Sequence, residues 1–267
     1  MPDASTLIRD LALIRKRGPL VQNITNFVVM NNTANALLAI GASPVMAHAP
    51  EETADMLVYA GALVINIGTL DAHWVNCYTQ AVRAANERGV PWVLDPVGAG
   101  ATPYRTSTAM ALLEEGRPAV VRGNASEILA LAGAGGVTKG VDSTDGADAA
   151  LQPAIDIAKR YHCIVSVSGE TDHITDGRTV VSVANGHPLM PRVTGLGCTA
   201  SAITGAFVAV NRNFLEAAAH AMGVMGIAGQ IAMASSSGPG TLQLHFVDAL
   251  YERSEEHTSE LQSRQSI

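Results

Sequence analysis

The chain has 267 residues, 48% of them hydrophobic and only 15% charged, with a formal net charge of −7. That length holds one large α/β domain or two small ones, and it buries a sizeable core. The acidic balance and the lack of a basic stripe argue against a nucleic-acid surface, and no apolar run is expected to span a membrane or form a signal-peptide core.

Ser5 reads as the cap of a first helix that carries Leu7, Leu11 and Ile14 on one face, ending in Arg15-Lys16-Arg17 before Gly18-Pro19. Residues 20–24 read as a strand. Thr25-Asn26 is expected to open a helix that stops at Gly41. Residues 44–47 are short and apolar, and Glu51-Glu52 marks an acidic helix start. Residues 62–67, ALVINI, read as a buried strand closing on Gly68-Thr69, followed by a helix over 71–88 stopped by Gly89. Residues 91–94 form the next strand and run into Asp95-Pro96-Val97-Gly98. The alternation continues with a strand at 119–121, a helix after Asn124, a helix over 147–160 and a strand at 163–167. Residues 173–175 and 179–183, joined through Asp176-Gly177, read as a hairpin added to the sheet. This rhythm predicts a mostly parallel sheet with helices on both faces, in a single α/β domain.

Residues 191–208 form a glycine-spaced turn, Thr194-Gly195-Leu196-Gly197-Cys198, and then a small-residue helix almost free of charge. A helix apolar on all sides is expected to be buried. Its first N–H groups then need a partner and carry the positive end of the dipole, so Gly195, Leu196, Gly197 and Cys198 read as an anion cradle. The plainer alternative is a glycine turn capped by Thr194. Asn213 and Glu216 read as a capping-box pair for a long Ala/Met/Gly-rich helix ending near Ser235, and a last helix follows Gly238-Pro239-Gly240 through Tyr251. The domain is taken as residues 1–252. Residues 253–267 are polar, offer no core face, and are expected to be a non-native or disordered tail.

In parallel α/β sheets function collects at the C-terminal ends of strands. Polar residues recur there: Asn66, Asp95, Arg122-Gly123-Asn124 and Ser168-Gly169-Glu170. Asp95 reads as a metal ligand or a turn residue. Glu127, three residues after Asn124, reads as a second metal ligand or as half of a capping box. Arg122 reads as a phosphate clamp or a strand-end ion pair. Together with the glycine-rich helix start, two carboxylates and an arginine are what phosphoryl transfer from a magnesium nucleotide needs. Residues 195–200 also fit G-x-G-x-x-A, the dinucleotide fingerprint, but no hydrophobic first strand precedes them and no acidic strand end follows. The Walker pattern is absent. Cys77, Cys163 and Cys198 show no metal spacing, which fits a reduced, cytosolic setting.

The motifs TNFVVMNNTANALLAIGASPVM, LVINIGTL, WVLDPVGAGATPYR, VVRGNASEILALAG, KGVDSTD and VTGLGC, in this order, resemble hydroxyethylthiazole kinase of thiamine salvage, within the ribokinase-like superfamily. The resemblance spans nearly the whole chain from Leu20 to Tyr251. It implies ATP-dependent phosphorylation of the primary alcohol of 4-methyl-5-(2-hydroxyethyl)thiazole with magnesium, by a cytoplasmic homotrimer with sites at subunit boundaries. It further implies that Arg122 and Ser168 contact ATP and that Asp95 and Glu127 belong to the magnesium site. The same resemblance implies that Met46 and Gly195 touch the thiazole, with Asn26 nearby, and it places Cys198 where most ribokinase-like enzymes carry a catalytic aspartate. Leu196 replaces the family's usual threonine between the glycines, and Ser168 replaces a common threonine while keeping the hydroxyl. Cys198 reads either as a base, its thiol pKa lowered by the helix N-terminus, or as a pocket wall beside catalytic backbone amides. Two other readings share the fold: a nicotinamide-nucleotide hydrate dehydratase, which Cys198 disfavours because those enzymes tend to carry aspartate there, and a non-enzymatic trimeric metabolite-binding protein.

Overall fold

A computed structural model describes residues 2–133 and 146–252. The KGVDSTD motif and the polar tail therefore lie outside the described residues. The elements run α1 (Ala4–Arg17), β1 (Leu20–Ile24), α2 (Met30–Ile40), β2 (Ser43–Val45), α3 (Pro50–Met56), β3 (Ala62–Asn66), α4 (Ala72–Arg88), β4 (Trp92–Asp95) and α5 (Pro103–Glu115). Then come β5 (Val120–Asn124), α6 (Ala125–Leu131), a 3₁₀ turn at Ala147–Ala150, α7 (Leu151–Tyr161), β6 (Ile164–Ser168), β7 (Asp172–Thr175) and β8 (Val180–Val183). A 3₁₀ turn at Met190–Arg192 leads into α8 (Leu196–Val210), α9 (Phe214–Ala234) and α10 (Pro239–Tyr251).

The eight strands form one sheet in the order β2-β1-β3-β4-β5-β6-β7-β8. The first six pair in parallel, and the expected hairpin adds β7 and β8 antiparallel, with Asp172 opposite Val183. One face is covered by α1, α2, α8, α9 and α10, which pack small residues such as Ala202, Ala206 and Ala218 around Phe207 and Phe246. The other is covered by α4 to α7, where the bulkier Trp74 and Tyr78 of α4 pack with Leu63 and Ile65 of β3 and Trp92 of β4. Each fully buried side chain of this size stabilises the fold by about 1.5–3 kcal/mol.

Local chemistry explains where the helices differ from expectation. The cap of α1 is Asp3, not Ser5: Asp3 Oδ1 accepts the Thr6 N–H at 2.8 Å, and the Ser5 hydroxyl donates to that same oxygen. The helix expected from Thr25 begins only at Met30. Asn26 instead makes a turn, its side chain accepting the Val28 N–H and its carbonyl the Val29 N–H. Strand–helix alternation does not by itself mark α5, although Thr102 followed by Pro103 carries a start signal, and the Thr102 hydroxyl does accept the Arg105 N–H. The start of α9 keeps the expected cap, Asn213 Oδ1 accepting the Glu216 N–H at 3.4 Å.

Helix α9 bears on the membrane expectation. Its 21 residues are long and apolar enough to cross a bilayer by composition, yet 72% of its most apolar window is buried inside the fold. It is a core helix. The same packing removes α8 and α9 as sources of exposed apolar surface, which is scattered instead over residues such as Phe27, Val28, Leu38, Tyr59, Leu244 and Tyr251.

Candidate active site

Side-chain alternation builds the site. On β3 and β4, Val64 and Val93 pack under α8 while Ile65 and Leu94 pack on the opposite face. The next residues, Asn66 and Asp95, paired in register, therefore turn toward α8. On β5 the same parity turns Arg122 toward α8, and on β6 it turns Ser168 that way, since Val165 and Val167 pack on the far face. Four strands thus bring an amide, a carboxylate, a guanidinium and a hydroxyl to one row under the start of a single helix.

That helix start carries no side-chain cap. Gly195 is the N-cap residue, at φ 87°, and Thr194 is exposed, so the turn-cap alternative is set aside. The N–H groups of Leu196, Gly197 and Cys198 are left without intrahelical acceptors. A Cβ at Gly197 would stand 3.0 Å from Arg122 Nη1, so the absent side chain is what lets the guanidinium lie against the turn. Arg122 is only 8% exposed, and among the described residues its buried Nε has no partner. A buried cation beside free backbone N–H groups makes a pocket of donors with nothing yet to donate to, which is what an anion requires.

The two carboxylates are buried as well. Asp95 Oδ2 accepts Asn66 Nδ2–H and the Ser201 hydroxyl, both at 2.7 Å. Glu127 closes the capping box, Oε2 accepting the Asn124 N–H at 2.8 Å while Asn124 Oδ1 accepts the Glu127 N–H. Its other oxygen accepts the Gly98 N–H at 2.9 Å and so ties the loop after β4 to the start of α6. Burial pushes Asp95 up to about 6, against the pull of Arg122, Ser201 and Asn66. Burial, and then the charge of Asp95, push Glu127 up to about 7, against the Gly98 and Asn124 N–H groups. Two desolvated carboxylates, one of which raises the protonation of the other, gain from a hard cation beside the anion pocket. Among the described residues no group of three or more His, Cys, Asp or Glu could hold a metal. A pair of carboxylates suits a magnesium ion completed by phosphate oxygens and water.

The other half of the row is neutral. Asn26 Nδ2 donates to Asn66 Oδ1 at 2.8 Å and lies 3.5 Å from Cys198 Sγ. Burial, with the Asp95 charge next, pushes the Cys198 thiol up to about 12, while Asn66, Asn26 and Arg122 pull the other way. The expected lowering by the helix terminus is thus reversed, because desolvation of a thiolate outweighs a half-charge dipole.

The structure brings Asn26, Asp95, Arg122, Glu127, Gly195, Leu196, Gly197 and Cys198 into this row. Ser168 sits at its end, half-buried, with its hydroxyl 3.4 Å from the Gly123 carbonyl. Met46 stands apart, just beyond edge strand β2, with its carbonyl against the His48 ring. Two residues of the row escape sequence reasoning. Ser201 is three residues after Cys198 and shares its helix face, a spacing that the i, i+3 rule could have flagged. Arg105 has no such signal: its guanidinium donates to the carbonyls of Ile67, Val97 and Gly68 and fastens the β3 and β4 loops together.

The fold is that of the ribokinase-like enzymes. A ribokinase-like superfamily protein from Enterococcus faecalis superposes with a TM-score of 0.65 at 14% identity, over 97% of this chain and 89% of that one. A pyridoxal kinase from Staphylococcus aureus, solved with ADP, does so at 0.60 and 17%, over 80% and 88%. At such identities the likeness speaks for architecture alone. The chain itself belongs to the hydroxyethylthiazole kinase family, which it matches over residues 11–256. It is 58% identical to a hydroxyethylthiazole kinase of Syntrophus aciditrophicus, over 91% of this chain and 90% of that one. It is 53% identical to one of Nitratidesulfovibrio vulgaris, over 96% of both chains. The solved hydroxyethylthiazole kinase of Pyrococcus horikoshii superposes with a TM-score of 0.87 at 46% identity, over 94% of this chain and 95% of that one.

Proposed function

We propose that this protein transfers the γ-phosphoryl group of ATP to the primary alcohol of 4-methyl-5-(2-hydroxyethyl)thiazole, in thiamine salvage. Family membership supplies the reaction. The observation that supports its location is Arg122, buried with its Nη1 against Gly197 at an uncapped helix start and, among the described residues, with no partner at Nε. Arg122 and the N–H groups of Leu196, Gly197 and Cys198 hold the oxygens of the transferring group, whose charge spreads in the loose transition state. Ser168 takes part in nucleotide binding at the β6 end of the row. Asp95 and Glu127 would hold magnesium, directly or through water. Magnesium, when bound, neutralises charge building up between the phosphates.

Cys198 is the wall of the alcohol pocket, not its base. A thiol pushed up to about 12 stays protonated at neutral pH. Phosphoryl transfer of this kind depends on positioning and electrostatics more than on proton abstraction. Asn26 has its amide committed to Asn66, Cys198 and the Val28 N–H, so it shapes the pocket beside Gly195 and orients the thiazole alcohol by fixing its neighbours. The edge position of Met46, and the exposure of Phe27 and Val28 directly after Asn26, support a site shared between subunits of a cytoplasmic homotrimer. Light scattering should then give about three times the mass of one chain; a stable, active monomer would refute the shared site.

The decisive assay is ADP release on addition of the thiazole alcohol with ATP and magnesium, with pyrimidine and pyridine alcohols as controls. Release specific to the thiazole is expected. Release with a pyrimidine or pyridine alcohol alone, or with none of the three, would overturn this reading.

A further inference from the structure

Asp95 is gripped from one side. Among the described residues its only side-chain donors, Asn66 Nδ2 and Ser201 Oγ, both reach Oδ2, each at 2.7 Å, and Oδ1 receives none. The direction of these bonds is set by the backbone. Asn66 Oδ1 accepts the Gly68 N–H at 2.9 Å, and a backbone N–H can only donate. The amide of Asn66 is therefore oriented with its oxygen toward Gly68 and its NH₂ toward Asp95, leaving no doubt about the flip. Asn26 Nδ2 meets the same Asn66 oxygen and reinforces that orientation. Ser201 approaches from α8, one helical step from the anion turn, and its weaker contact to the Gly197 carbonyl is 3.5 Å, so its short bond is the one to Asp95.

We infer that Asn66 and Ser201 are positioning residues for the reaction: they clamp Oδ2 of Asp95 and so present Oδ1 to the cation. This rests on the reading of Asp95 as a metal ligand. A rotated carboxylate would offer the cation an oxygen already shared with two donors, or turn its open oxygen into the protein. Partners that orient a ligating carboxylate are typically worth about 10–100-fold in metal affinity or activity. Ser201 also joins the helix whose N-terminus faces the anion pocket to the residue that holds the cation. One rigid element thereby sets the spacing between the metal site and the transferring phosphoryl group.

The test uses Mn²⁺ as probe. Its binding is followed by electron paramagnetic resonance in the presence of a non-hydrolysable ATP analogue, beside steady-state kinetics and thermal melting. Ser201→Ala and Asn66→Asp, which keeps the oxygen for Gly68 but removes the donor to Asp95, should each weaken Mn²⁺ binding about tenfold. Both should lower kcat by a similar factor while leaving KM for the thiazole alcohol within about twofold. Ser201→Cys, with a weak S–H donor of similar size, should fall between parent and Ser201→Ala. In the Asp95→Asn background, Ser201→Ala should add less than about twofold to the loss, since there is no longer a ligand to orient. Parental Mn²⁺ affinity and kcat in Ser201→Ala and Asn66→Asp, with both lost in Asp95→Asn, would overturn the inference while sparing the reading of Asp95. Equal losses in both backgrounds would also overturn it, by assigning Ser201 to helix packing. Parental behaviour in Asp95→Asn would sink the reading of Asp95 and this inference with it.

Discussion

The strand-end row divides at Asn66 into two halves built on opposite principles. On one side Asp95, Glu127 and Arg122 are buried charges, with an unpartnered guanidinium nitrogen and two carboxylates pushed up to about 6 and about 7. On the other, Asn26 and Cys198 are neutral, and their hydrogen bonds lead back to the Val28 N–H and to Asn66. The charged half is an unfinished electrostatic arrangement that ligands complete. The neutral half is complete without them. A change in the charged half should therefore show mainly in the reaction or in pH dependence, and a change in the neutral half mainly in pocket shape.

Arg122→Met is the sharpest test of the charged half. It keeps the apolar stem and removes every donor facing Gly197, so kcat/KM should fall by about 10²–10³, the usual cost of losing a donor to transition-state oxygens. A change under about threefold in steady-state kinetics would end the role assigned to Arg122.

Glu127→Gln should cost less, and it should cost stability as well as activity. The capping box alone would tolerate glutamine, but both carboxylate oxygens accept backbone N–H groups, from Gly98 and from Asn124. An amide satisfies one and turns its NH₂ against the other, a loss of about 1–3 kcal/mol measurable by urea unfolding. The pH dependence sharpens the same point. In the metal-free protein the folded pKa of Glu127 stands above its unfolded value near 4.5, at about 7, so between those values the folded chain holds more protons. Its contribution is fully present below pH 4.5 and is lost as pH rises through about 7, with Asp95 acting alike below it, from 3.8 to about 6. Stability of the metal-free protein should fall over this window, and the fall should be shallower in Glu127→Gln. Parallel curves for parent and variant would contradict the shift.

The smallest effect is expected in the neutral half. A true base at Cys198 would be worth about 10²–10⁴ in rate, whereas a wall residue exchanged for the slightly smaller serine should change kcat by less than about threefold. Single-turnover measurements of Cys198→Ser separate these outcomes, and a tenfold or larger loss would restore the thiol as base.

The two halves also differ in how far they can be read from residues alone. Asp95 and Arg122 stand out because charged residues at strand ends are few and their chemistry is explicit, and Glu127 because it opens the helix that follows β5. Ser201 does not, because serine in a small-residue helix resembles filler until it is found 2.7 Å from a carboxylate 106 positions away. Arg105 is invisible for a related reason, since all its partners are backbone carbonyls. Asn26 marks the boundary. Its place at the end of a strand is legible, but the helix expected to begin there is delayed to Met30 because its own side chain closes a turn on Val28.

By itself the sequence determined what short-range physics controls. The strands from Leu20 onward, the αL stops at Gly18, Gly41 and Gly89, the Asn124–Glu127 box and the glycine turn before α8 all follow from propensities and caps acting within a few residues. The tertiary structure decided the protonation and orientation of the site. Those depend on desolvation, on the charge of Asp95 near Cys198, and on donors supplied from distant segments: Asn66 and Ser201 for Asp95, Gly98 for Glu127, and Asn26 for Cys198. A helix terminus lowers a thiol pKa when solvent reaches the sulfur freely, and only packing reveals that Cys198 is half-buried and desolvated near a carboxylate instead.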